Sequence, residues 1–79
     1  MTKTSKEIET WLVQYLAKAL KVAASELPLD QPLTNLGVTS RQAVMLTGEL
    51  EDWLDRPVDP ALAWEHPTIE ALAKALAST

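Results

Sequence analysis

A chain of 79 residues with a net charge of −4, no cysteine, a single histidine and no phenylalanine excludes several classes of protein at once. Disulfides, thiolate catalysis and cysteine-ligated metal centres need residues that are absent, and His66 alone falls short of the several side-chain ligands of a transition-metal site. The acidic balance argues against a nucleic-acid partner, whose binders cluster Lys and Arg. No apolar run approaches the roughly 18 residues of a membrane span, and the first residues lack the apolar core of a signal peptide.

A 47% hydrophobic and 23% charged composition is that of a globular chain, and this length supports one core only. The expectation is a single domain over residues 1–79, monomeric and cytoplasmic, too small to enclose a deep substrate cavity. The charge is unevenly spread. Between Arg41 and Glu70 stand seven acids (Glu49, Glu51, Asp52, Asp55, Asp59, Glu65 and Glu70) against two arginines, whereas residues 1–21 hold four lysines against two glutamates. The second half therefore presents a negative face suited to steering a basic partner surface.

The first helix is written in Ile8, Trp11, Leu12, Tyr15, Leu16, Ala19 and Leu20, which recur at three- and four-residue steps and form one stripe. Thr4 and Glu7 have the spacing of a capping box, which starts the helix near residue 4 or 5; its end is expected around Val22 to Ala24, before Pro28. Residues 25–39 form a long loop punctuated by Pro28, Pro32 and Gly37. Its five aliphatics, Leu27, Leu29, Leu33, Leu36 and Val38, predict a loop packed down over the helices. A second helix is expected from Ser40 to Leu54 or Asp55, with Ala43, Leu46, Thr47, Leu50 and Leu54 inward and Arg41, Met45, Gly48 and Asp52 outward. Arg56-Pro57 closes it, since proline disfavours helix in the residue before it. Asp59-Pro60 predicts the cap and first residue of a short third helix reaching about Glu65. Thr68 caps a fourth, with Ile69, Leu72, Ala73 and Leu76 as its stripe. The fold class is all-α: a four-helix bundle with a long ordered loop after the first helix and a short third helix.

The string Leu36-Gly37-Val38-Thr39-Ser40 places a serine hydroxyl where a loop meets a helix, after a glycine that lets the backbone turn. A phosphodiester on that hydroxyl would lie among the open N–H groups and the positive dipole end of a helix, where anions are favoured. Serine at this place is more often a simple N-cap. Here Thr39 can cap, with Gln42 completing a capping box, which leaves Ser40 at the first helical position with a hydroxyl that capping does not require. Read from the residues alone, capping is the favoured reading and covalent attachment stays open beside it.

Beyond the site string, the chain resembles acyl carrier proteins and the carrier domains of polyketide and peptide synthases over nearly its whole length. The likeness centres on LGVTS at 36–40, where carriers typically read Leu-Gly-x-Asp-Ser, and continues through AVMLTGELEDWL at 43–54 and HPTIEALAKAL at 66–76. The stretch TGELEDWLDRPVDPALAWEHPTIEAL looks closer to polyketide-type systems than to housekeeping fatty acid synthesis. The resemblance implies that Ser40 carries a 4′-phosphopantetheine arm, transferred from coenzyme A by a phosphopantetheinyl transferase. The arm's thiol would hold an acyl or polyketide chain as a thioester, with no bond chemistry performed by the chain itself. It further implies loading by an acyl-AMP ligase or an acyltransferase and presentation to ketosynthases or other synthase enzymes through the second helix.

Thr39, Arg41, Val44, Met45, Gly48 and Asp52 are the candidate docking residues on that basis. Thr39 stands in place of the usual aspartate, and Arg41, in place of an apolar residue, sets a positive charge beside the arm. Trp11, Trp53, Trp64 and Tyr15 read as core or core-edge residues, and His66 as structural. Two rivals follow from other classes: an unmodified helical docking domain in which Ser40 only caps, and a small hydrolase using Ser40 with His66.

Overall fold

The computed structural model describes residues 3–77. Four helices follow one another, α1 (Ser5–Leu20), α2 (Ser40–Leu54), α3 (Leu62–Glu65) and α4 (Ile69–Ala77), and the loop between α1 and α2 contains two 3-10 turns, at Ala24–Glu26 and Leu33–Leu36. Strand-like pairing is limited, among the described residues, to one isolated antiparallel bridge between Pro32 and Thr68.

α1 starts as its residues predict. Thr4 Oγ1 accepts the Glu7 N–H, and the Glu7 carboxylate accepts the Thr4 N–H, both at 3.1 Å. Its far end comes earlier than expected. The helix stops at Leu20, Lys21 turns into the left-handed region at φ 58°, and the Val22 N–H reaches back to the Ala17 carbonyl at 3.0 Å. This closure recovers carbonyls that the helix end would otherwise leave unpaired. No glycine marks it, so the apolar run through Val22 and Ala23 read as more helix. Ala19, expected in the buried stripe, is exposed in the last turn before this closure, and the buried residues of α1 are Ile8, Leu12 and Leu16.

These three side chains meet Leu72, Ala73 and Leu76 of α4 and Leu46 and Leu50 of α2 in one core. Burial of each such leucine contributes roughly 1.5–3 kcal/mol. Leu54, predicted inward, is only half-buried at the end of α2. Below it the chain is tied across. The Arg56 guanidinium donates to the Leu76 carbonyl at the end of α4, and the Glu51 carboxylate accepts the Val58 N–H at 3.1 Å.

The long loop is ordered, as its aliphatic content predicts. Leu27, Leu33 and Val38 are buried, and two backbone bonds dock the loop on the start of α4: Leu33 N–H to the Pro67 carbonyl at 2.7 Å, and Glu70 N–H to the Leu29 carbonyl at 3.2 Å. α3 begins two residues later than predicted. Asp59 Oδ1 does accept a backbone N–H, from Ala61 at 2.9 Å, but Leu62 and Ala63 bond only three residues back, to Asp59 and Pro60. Pro60 and Ala61 thus form a tight turn, and α3 proper is a single helical turn. Thr68 caps α4, its hydroxyl accepting the Ala71 N–H at 3.1 Å.

Candidate functional site

The site is built by the end of the loop and the first turn of α2. The second 3-10 turn closes on Gly37, which lies at φ 97°, a conformation that a side-chain-bearing residue adopts only at a cost. A β-carbon there would meet only Leu20 Cδ2 at 3.9 Å, so the backbone angle rather than crowding calls for glycine. Val38 follows, buried and bonded back to the Leu33 carbonyl at 3.1 Å. It anchors the chain one residue before the helix, so that Thr39 enters extended, at φ −83° and ψ 166°.

Thr39 is the cap. Its Oγ1 accepts the Gln42 N–H at 3.1 Å, while the Gln42 side chain accepts the Thr39 N–H at 3.0 Å. Ser40 is therefore the first residue of α2, exposed, with a hydroxyl that takes no part in the cap. The box pairs the amides of Thr39 and Gln42 and leaves those of Ser40 and Arg41 as the open donors of this helix end. No acid stands in the first turn of α2, and Arg41 is exposed next to Ser40. A hydroxyl free of capping duty, open to solvent, at the positive end of a 15-residue helix suits esterification by a phosphate.

Every sequence-predicted docking residue is exposed, from Thr39 and Arg41 beside Ser40 to Asp52 near the far end of α2. Val44 and Met45 are 54% and 55% exposed on the turn after Ser40, and Gly48 and Asp52 continue the same side of α2. Nothing lies within 4 Å of where a Gly48 β-carbon would stand, so that face is open. Thr47 is buried and spends its hydroxyl on the Val44 carbonyl at 2.7 Å.

Trp64 corrects the expectation of a core residue: it is 52% exposed. In the single turn of α3, Ala63 points inward, which turns Trp64 out over a small apolar cleft of about 30 Å³ lined by Leu33, Val38, Ala43 and Pro67. The cleft's Val38 and Ala43 flank the start of α2, so Trp64 belongs to the surface near Ser40. The other aromatics are half-buried as expected and form a ladder, Tyr15 on Trp11 at 5.2 Å and Trp11 on Trp53 at 5.4 Å, with Lys3 Nζ 4.8 Å from the Trp53 ring. A broader groove of about 440 Å³ opens there, between the start of α1 and the end of α2. It lies at the opposite end of α2 from Ser40.

The phosphopantetheine attachment site family matches residues 10–76. The chain belongs to this carrier family. Its cofactor is 4′-phosphopantetheine, held covalently, and its function is that of an acyl or peptidyl carrier. Over 72 residues, 91% of this chain, the carrier is 46% identical to a phenolphthiocerol/phthiocerol polyketide synthase polypeptide of Mycobacterium tuberculosis, of which it spans only 4%. It is 26% identical to the acyl carrier protein TtuC of Teredinibacter turnerae across 98% of this chain and 88% of that one.

Among solved structures, a free-standing peptidyl carrier protein of Acinetobacter baumannii superposes with a TM-score of 0.89 at 32% identity, covering 95% of this chain and 94% of the other. An acyl carrier protein of Anabaena sp. PCC 7120, described as having a variant phosphopantetheinylation-site sequence, gives the same score and identity over 95% and 85%. Among the described residues no helix is long and apolar enough to cross a membrane, and no cluster of His, Asp or Glu could hold a metal ion.

Proposed function

We propose that Ser40 carries the phosphopantetheine arm and that the carrier presents acyl or polyketide thioesters to synthase enzymes across the face begun by Thr39, Arg41, Val44 and Met45 and continued by Gly48 and Asp52. The observation that supports it most is the division of labour at the start of α2: Thr39 performs the cap, and the exposed Ser40 hydroxyl is left over. An arm rooted there swings from the rim of the docking face rather than from a pocket, as group transfer between separate enzymes requires. The chain is a substrate of a phosphopantetheinyl transferase, is charged by an acyl-AMP ligase or acyltransferase, and delivers to a ketosynthase or related enzyme. It acts as a monomer in the cytoplasm. The likeness to polyketide synthase carriers supports the polyketide assignment, and the acids of α2 supply the charge that steers basic partner surfaces.

The test is the intact mass of the protein after incubation with coenzyme A and a broad-specificity transferase, beside Ser40→Ala. The expected result is a gain of one phosphopantetheine in the parent and none in the variant. Modification that persists in Ser40→Ala would move the site elsewhere.

A further inference from the structure

We propose that Arg41 is the counter-ion of the arm's phosphodiester, holding the root of the arm on the side of α2 that carries Met45 and Gly48. This rests on Ser40 as the attachment residue.

Arg41 is the one Lys or Arg between Lys21 and Arg56, a stretch that otherwise holds six acids. It stands at the second position of α2, where the helix dipole disfavours a cation, and the first turn offers no carboxylate in compensation. Its guanidinium is exposed and pairs with no acid among the described residues. α1 provides an internal contrast. It opens Thr4-Ser5-Lys6-Glu7 where α2 opens Thr39-Ser40-Arg41-Gln42, but in α1 the third helical residue is a carboxylate, which favours the positive end of the helix. In α2 that place is taken by the neutral Gln42. The first turn of α2 therefore carries an exposed arginine with no paired acid, two open backbone amides and the positive end of the helix, all within two residues of Ser40.

A phosphodiester on Ser40 Oγ supplies one negative charge at that point. Neighbouring Cα atoms lie about 3.8 Å apart, well within the reach of an arginine side chain, and the planar fork of the guanidinium matches two phosphate oxygens. Attachment then replaces an unfavourable charge arrangement with a paired one. Because Arg41 shares its face of the helix with Met45, one turn on, pairing draws the phosphate to that side and gives the arm a preferred exit direction.

The experiment compares thermal melting of apo and holo protein for the parent, Arg41→Gln, Arg41→Lys and Lys6→Gln, each holo form verified by mass. Apo Arg41→Gln should melt at or above the apo parent, while holo Arg41→Gln should melt below the holo parent by about 3 °C at low ionic strength. Arg41→Lys should keep most of the parent's gain on attachment. Lys6→Gln should shift apo and holo equally. In the parent itself, the difference between holo and apo should shrink at about 1 M salt. An equal effect of Arg41→Gln on apo and holo, or a holo gain indifferent to salt, would overturn the assignment. Failure of the attachment reading shows differently, as the absence of any mass gain at Ser40 before a melt is run.

Discussion

Two helices of this carrier begin with nearly the same four residues, Thr-Ser-Lys-Glu at 4–7 and Thr-Ser-Arg-Gln at 39–42, and fold into capping boxes whose bonds agree to within 0.1 Å. Ser5 and Ser40 hold the same position in them. Their surroundings differ. Ser5 is half-buried, its turn carries the Glu7 carboxylate, and the nearby Lys3 lies over Trp53 at the end of the aromatic ladder. Ser40 is exposed, has no acid in its turn, and follows a loop pinned by Val38 and Gly37. A local motif thus sets where the hydroxyl points relative to its own helix. Whether an enzyme can reach it, and whether an anion is welcome there, depends on the rest of the chain.

The largest expected effect separates the two serines outright. Ser5→Ala should leave phosphopantetheine transfer intact, whereas Ser40→Ala should abolish it by intact mass; loss of transfer in a folded Ser5→Ala protein would break the comparison. The approach to the second box is tested by its glycine. Gly37→Ala should destabilise the protein by roughly 1–2 kcal/mol in urea melts, because φ 97° is unfavourable for alanine while the space itself is open. Gly48→Ala should do the reverse, gaining about 0.5–1 kcal/mol from helix propensity at a position with nothing to clash.

The caps themselves should be close to equivalent, with Thr4→Ala and Thr39→Ala each costing about 1 kcal/mol, which a pair of urea melts would show. They differ most subtly in pH. The backbone N–H of Thr4, and then its hydroxyl, hold the Glu7 carboxyl below its ordinary value of 4.5. The folded state therefore binds that proton less readily than the unfolded chain. The contribution is fully present above about pH 4.5 and is lost as pH falls through the lowered folded value. Gln42 does not titrate, so the α2 box should be indifferent to the same change. Glu7→Gln should remove a small acid-side slope from the stability profile, and a slope that survives it belongs to another group.

Much of this protein was legible one helix at a time. The stripes of α1, α2 and α4 apart from Ala19 and Leu54, both capping boxes, the Thr68 cap and the exposure of Val44, Met45 and Gly48 all follow from periodicities and bonds that span three or four residues. Family resemblance, carried by LGVTS and the two helical stretches after it, pointed to the attached arm where the residues alone favoured capping. The misreadings sit where the chain is governed from a distance. α1 ends at Leu20 because a left-handed Lys21 turns the chain toward the buried Leu27, with no glycine to announce it. Trp64 faces solvent because Ala63 takes the inward place in a helix of one turn, too short for a periodicity to show which residue would. The nineteen residues between α1 and α2 are held by bonds to Pro67 and from Glu70, more than thirty positions away. Local hydrogen bonds and side-chain period are properties of the sequence by itself, and they determined the helices and the cap that frees Ser40. The difference between Ser5 and Ser40 is one of exposure and net field, which sum contributions from the whole fold, and only the tertiary structure decided it.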